Sequence, residues 1–130
     1  MRQVRKTRLH EMQKVEAEHA LSYILEEIDA TEEYFTDGNS VFLTQVDHKQ
    51  KKRHRVLYRL EGKTLYRYAD KTEVVPIRHI AIPDGKTALL RDVEDFQLTM
   101  DERVLRVEVQ GESYLLAKER AIRGKVQVIP

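Results

Sequence analysis

The chain has 130 residues, which suits a single domain, and its 41% of hydrophobic residues is enough for one modest core. Charged residues make up 35%, but the net charge is only +1, which excludes a global field that attracts nucleic acid or membranes. Cysteine is absent, which excludes disulfide bonds and thiolate chemistry, and no apolar run approaches the roughly 18 residues of a membrane-spanning helix.

The first segment has the pattern of an amphipathic helix. Residues 4–35 contain neither proline nor glycine, and the turn-forming sequence Asp-Gly-Asn follows at 37–39. One apolar stripe recurs at helical spacing, and further apolar residues widen it. The stripe is Ala17, Leu21, Ile24 and Ile28, widened by Met12, Val15, Ala20, Tyr23 and Leu25. The pattern predicts a helix over about residues 3–35, with Leu21, Ile24 and Ile28 buried against a sheet.

After Gly38 the hydrophobic period changes to the alternation of β-strands, and Glu61-Gly62-Lys63 reads as a hairpin turn between two such runs. The predicted strands lie at 41–46, 56–60, 64–68, 74–77, 79–82, 96–100, 104–109, 114–117 and 126–128, with one helical turn at 88–95. One helix followed by many strands predicts the α+β class. We therefore expect a single domain, 1–130, in which one long N-terminal helix packs on antiparallel sheet in a β region of about 40–129.

The sequence lacks the motifs of catalysis. There is no glycine-rich phosphate loop, and carboxylate pairs such as Glu26 with Glu27 lie in strongly polar stretches that are typical of a solvated surface. His10 and His19 stand nine residues apart, which is not the spacing of metal ligands on one helix. The sequence thus predicts a protein that is not an enzyme and that has no cofactor and no metal site.

The predicted helix has an unusual charge distribution. Residues 1–14 hold five Lys and Arg against Glu11 alone, whereas residues 15–37 hold eight Asp and Glu and no basic residue. This polarity opposes the helix dipole. Either tertiary packing compensates for the unfavourable interaction with the dipole, or complementary charges on neighbouring helices set the axial stagger of those helices. On the second interpretation the candidate partner-binding residues are Glu26, Glu27, Glu32 and Glu33.

A second charged segment lies between two predicted strands. Its basic residues are Lys49, Lys51, Lys52, Arg53 and Arg55, with His48 and His54 interleaved. Such a segment is typical of a solvated hairpin loop that discourages edge pairing. Alternatively, it binds the phosphates of nucleic acid or lipid. It contains no aromatic residue on which bases could stack.

Three segments, in this order, resemble a known family. Residues 20–28 (Ala-Leu-Ser-Tyr-Ile-Leu-Glu-Glu-Ile) look like the amphipathic half of a pilin helix. Residues 58–67 (Tyr-Arg-Leu-Glu-Gly-Lys-Thr-Leu-Tyr-Arg) are similar to the hairpin of minor pseudopilins of the J type. Residues 89–96 (Leu-Leu-Arg-Asp-Val-Glu-Asp-Phe) resemble the turn before their last strands. The chain therefore resembles the ectodomain of a bacterial minor pilin or pseudopilin, including the competence-pilus minor pilins of Gram-positive bacteria.

The resemblance implies a pilin-like fold and a structural role in a type IV pilus or a type II secretion-like filament, including one that serves DNA uptake. It implies other minor pilins as partners and a place in the cell envelope. The leader and membrane-spanning helix of that family are missing from this sequence, so any contact with a membrane would be made by a helix outside it. The alternative is a cytoplasmic adaptor or nucleic-acid-binding module that uses residues 49–55, and an enzyme of unrecognised type is the third reading.

Overall fold

A computed structural model describes residues 2–130 of the chain, with side chains from residue 7 onward. In this part of the chain one helix precedes nine strands. The helix, α1, spans Arg2–Asp29. The strands are β1 (Glu33–Thr36), β2 (Val41–Asp47), β3 (Lys52–Glu61), β4 (Thr64–Glu73), β5 (Gly85–Leu90), β6 (Asp95–Asp101), β7 (Val104–Gln110), β8 (Leu115–Ala121) and β9 (Lys125–Val128).

The strands form two sheets. The larger has six strands in the order β5-β4-β3-β2-β1-β9, and the smaller has three in the order β6-β7-β8 among the residues described. Neighbouring strands are antiparallel except β1 and β9, which run parallel with Glu33 opposite Lys125. The backbone N–H of Ile129 also donates to the carbonyl of Thr36 at 2.7 Å, so the segment after β9 is bound to the end of β1.

The second half of α1 packs against both sheets. It contacts β5 of the larger sheet and β7 and β8 of the smaller one. Leu21, Ile24 and Ile28 are buried in one cluster with Val56 and Tyr58, as the sequence predicted. This cluster is the main core, and it fixes the helix between the sheets.

The larger sheet is also covered on its far side. Because successive side chains of a strand point to opposite faces, Val56 and Tyr58 of β3 enter the main core while Leu57 points away. Leu57 joins a second cluster with Phe35 and Phe42. Both faces of the larger sheet therefore carry apolar side chains, and the basic residues of β3 are placed beside the second cluster.

The predicted α+β, pilin-like fold class is wrong, because nine strands in two sheets dominate the residues described and one sheet contains a parallel pair. The predicted helix over 3–35 is also too long. It ends at Asp29, where the hydroxyl of Thr31 donates to the carbonyl of Glu27 at 2.7 Å. Residues 33–36 form a strand instead, in which Tyr34 and Phe35 are buried in different clusters.

Two further local predictions fail. Residues 74–77 and 79–82 are not strands, and the predicted helical turn at 88–95 is replaced by the end of β5 and a turn in which Asp92 has a φ of 59°. Proline interrupts ladder hydrogen bonding in the first segment. In residues 88–95, Ala88 and Leu90 instead pair with Tyr66 and Leu65 of β4, and the register shifts between these two pairs.

Candidate functional site

The β2–β3 hairpin carries the predicted basic segment at its tip. The Asp47 carboxylate accepts hydrogen bonds from the backbone N–H groups of Lys49 (3.0 Å) and Gln50 (3.1 Å), which closes the turn. Lys51 has a φ of 55°, and both lysines are exposed. Only the tip of the segment is a loop, since β3 begins at Lys52.

The arginines of this segment are part of the fold. Arg53 is 8% exposed, and its Nη1 donates to the carbonyl of Val75 at 2.7 Å. The two nitrogens Nε and Nη2 of Arg55 donate to the Asp70 carboxylate at 2.8 and 2.6 Å, and this hydrogen bonding lowers the pKa of Asp70. The guanidinium carbons lie 5.4 Å and 5.6 Å from the ring centres of Phe35 and Phe42, respectively. Both side chains therefore cover the second apolar cluster.

Lys52 forms an ion pair with Glu73 on the neighbouring strand. With both arginines engaged as well, Lys49 and Lys51 are the exposed cations left of the five predicted phosphate-binding residues, within the part of the chain that the structure describes. Two of the five charges, those of Lys52 and Arg55, are thus paired with carboxylates in the fold, and Arg53 is bound to a backbone carbonyl.

We expect the protein to show no measurable DNA affinity at physiological salt, because two lysines displace few counterions from a duplex. A fluorescence-polarisation titration with duplex and single-stranded DNA, at low and physiological salt, measures this. Tight, salt-dependent binding that Lys49→Gln with Lys51→Gln abolishes would contradict the expectation. Lys118→Gln, an exposed lysine on β8, serves as the charge-matched control.

The predicted acidic partner surface does not form one continuous face. Glu26 is exposed on α1, but Glu27 turns toward the larger sheet. The Glu27 carboxylate accepts from Arg67 Nη2 at 2.7 Å and Nε at 3.0 Å, and also from the hydroxyl of Tyr58. Burial and the hydrogen bond to Glu27 raise the pKa of Tyr58, and that same carboxylate raises the pKa of Arg67. Glu27 therefore fastens α1 to β3 and β4.

The remaining two carboxylates lie beyond the helix. Glu32 is exposed and Glu33 is half-buried at the start of β1, where both line a shallow depression with Arg123 and Lys125. Two basic side chains thus lie beside this part of the acidic stretch. The role of the four glutamates in partner binding stays a prediction.

The first half of α1 extends beyond the sheets. From residue 7 to residue 16 no described side chain is buried, and Ala17 is the first that is. At about 1.5 Å per residue this segment is about 15 Å long. It carries Leu9, Met12 and Val15, which are 51%, 59% and 47% exposed. The sequence pattern assigned Met12 and Val15 to the core stripe, but both side chains are exposed. We call residues 7–16 the projecting half.

A groove continues from the projecting half along the body of the protein. It lies between α1 and β5, an edge strand of the larger sheet, and has a volume of about 480 Å³. Its lining is mostly apolar. The lining residues are Glu16, His19, Ala20 and Tyr23 of the helix and Ala88, Leu89, Leu90 and Arg91 at the strand.

No family model, curated protein or solved structure matches this chain. Among the residues described, no three His, Asp or Glu side chains are grouped so that they could hold a metal ion. Over the same residues, α1 lacks the apolar composition with which a helix crosses a membrane. The projecting half and the groove beside it form one surface with exposed apolar side chains.

Proposed function

We propose that the chain is a non-enzymatic assembly subunit that binds protein partners through the projecting half of α1. The observation that supports this is the exposure of Leu9, Met12 and Val15 in residues 7–16 of α1, where no described side chain is buried. A short helix without tertiary packing is marginally stable in water, and an amphipathic helix commonly binds by placing its apolar residues in a partner's groove. A partner would supply the missing packing.

The assembly that we propose is a filament of the type IV pilus or type II secretion kind, with other minor pilins as partners and the cell envelope as location. The support for this finer proposal is the sequence resemblance of residues 20–28, 58–67 and 89–96, and the two-sheet fold adds nothing to it. The charge reversal along α1, basic over 1–14 and acidic over 15–29, is suited to fixing the register of neighbouring helices. The basic hairpin gives nucleic-acid binding no comparable support, because both of its arginines are engaged in the fold.

The double substitution Leu9→Ser with Met12→Ser tests the proposal. We expect it to reduce the fraction of tagged chain that co-purifies with minor pilins or pseudopilins of the source organism by at least about tenfold, because it removes the apolar anchors. The melting temperature should change by no more than about 2 °C, since neither side chain is packed in the fold. Bound fraction and melting temperature are measured on the same preparations.

The matched control is Val75→Ser with Leu115→Ser, whose side chains are 57% and 60% exposed and lie outside α1. It should bind partners as well as the unaltered chain does. Glu26→Lys with Glu32→Lys addresses the acidic stretch while leaving the structural Glu27 in place. Unchanged partner binding in the Leu9 and Met12 variant, at a normal melting temperature, would refute the proposed role of the projecting half.

A further inference from the structure

One face of α1 has the spacing of a coiled-coil seam. Leu9, Met12, Glu16, His19 and Tyr23 follow one another at alternating steps of three and four residues. All five are exposed on the helix or line the groove. This face therefore joins the projecting half to the groove without interruption.

The charges along this face favour an antiparallel neighbour. Arg8 lies near its start and Glu26 near its end, both are exposed, and neither forms an ion pair with another side chain that the structure describes. A second such helix in parallel and in register would place like charges together. In the antiparallel orientation the basic start of each helix lies beside the acidic end of the other.

We propose that the groove between α1 and β5 receives the projecting half of α1 from a second copy of this chain, antiparallel, so that two copies form a closed dimer. The inference rests on the proposed function, because it names a partner for the same helix half. The contact is isologous, because each copy has one projecting half and one groove. Under two-fold symmetry the projecting half of each copy lies in the groove of the other.

The alternation of seam positions sets the register. Met12 lies opposite Tyr23 of the second copy, Glu16 lies opposite its His19, and Arg8 approaches its Glu26. Each of these contacts occurs twice by symmetry. The helices overlap for about 25 Å, which makes a small interface and therefore a reversible dimer.

Sedimentation velocity of the purified chain, over a concentration series that spans the micromolar range, tests the proposal. We expect a reversible monomer–dimer equilibrium. Arg8→Glu and Glu26→Arg should each raise the dissociation constant by about tenfold, because each places two pairs of like charges in contact. The double variant Arg8→Glu with Glu26→Arg restores unlike pairs and should return the dissociation constant to within about threefold of the original.

Lys49→Glu, a charge reversal at the exposed tip of the β2–β3 hairpin, is the control and should leave the equilibrium unchanged. A monomer at every concentration would overturn the inference, and so would a double variant that dimerises no better than the single ones. Neither of these two results would bear on the co-purification with minor pilins, which tests the filament proposal. Conversely, the chain could dimerise with the expected charge dependence and yet bind no minor pilin. That result would refute the filament proposal alone.

Discussion

Glu27→Ala should lower the free energy of unfolding by about 2–4 kcal/mol. The side chains of Glu27 and Arg67 are only 19% and 25% exposed, so removing the carboxylate leaves a largely desolvated guanidinium without its counter-charge. It also leaves the hydroxyl of Tyr58, a residue 6% exposed, without its acceptor. Urea denaturation at neutral pH, monitored by circular dichroism, measures the change.

Two further substitutions separate the contributions. Glu27→Gln keeps an acceptor for Tyr58 but removes the charge, so its loss should lie between those of the unaltered chain and the alanine variant. Glu26→Ala, at the exposed neighbouring position, should change the free energy of unfolding by no more than about 0.5 kcal/mol. If Glu27→Ala behaved like Glu26→Ala, the link between α1 and the larger sheet would contribute nothing to stability.

Ile24→Ala should cost about 2–5 kcal/mol in the free energy of unfolding. Ile24 is 0% exposed and belongs to the main core, in which α1 meets both sheets, so its truncation leaves a cavity that rigid strands cannot close. The same denaturation experiment measures it, with Ser22→Ala on the exposed side of the helix as control. A loss below about 0.5 kcal/mol would mean that this stripe does not stabilise the core.

The second half of α1 was predictable because its apolar period is local. Leu21, Ile24 and Ile28 repeat within two turns of helix, and the same kind of signal located the β3–β4 hairpin around Gly62. The end of the helix was not predictable in this way. Residues 33–36 form a strand that pairs with β2 on one side and with β9, near the other end of the sequence, on the other, and no local pattern indicates the pairing with β9.

Local sequence pattern was an even poorer guide to the surroundings of the charged candidate residues. Arg53 and Arg55 read as a loop because they stand in a basic run, yet their partners, Val75 and Asp70, lie on β4 or just after it. Glu27 of α1 likewise binds Arg67 of β4, which is distant in the sequence. Sequence gives the sign of a charge but not the strand that will neutralise it. Exposed charge was therefore overestimated, and the apolar projecting half was missed because helical periodicity does not tell where the packed body ends.

The parallel pairing of β1 and β9 has a consequence for synthesis on the ribosome. The edge of β1 that β9 covers is open until residues 125–128 have left the exit tunnel, and the strand beside that edge carries the apolar Tyr34 and Phe35. An open edge next to apolar side chains is a template for pairing with other chains. During translation the edge of β1 can therefore pair wrongly with other chains until almost all residues have been synthesised. Pairing with β9 then covers this edge.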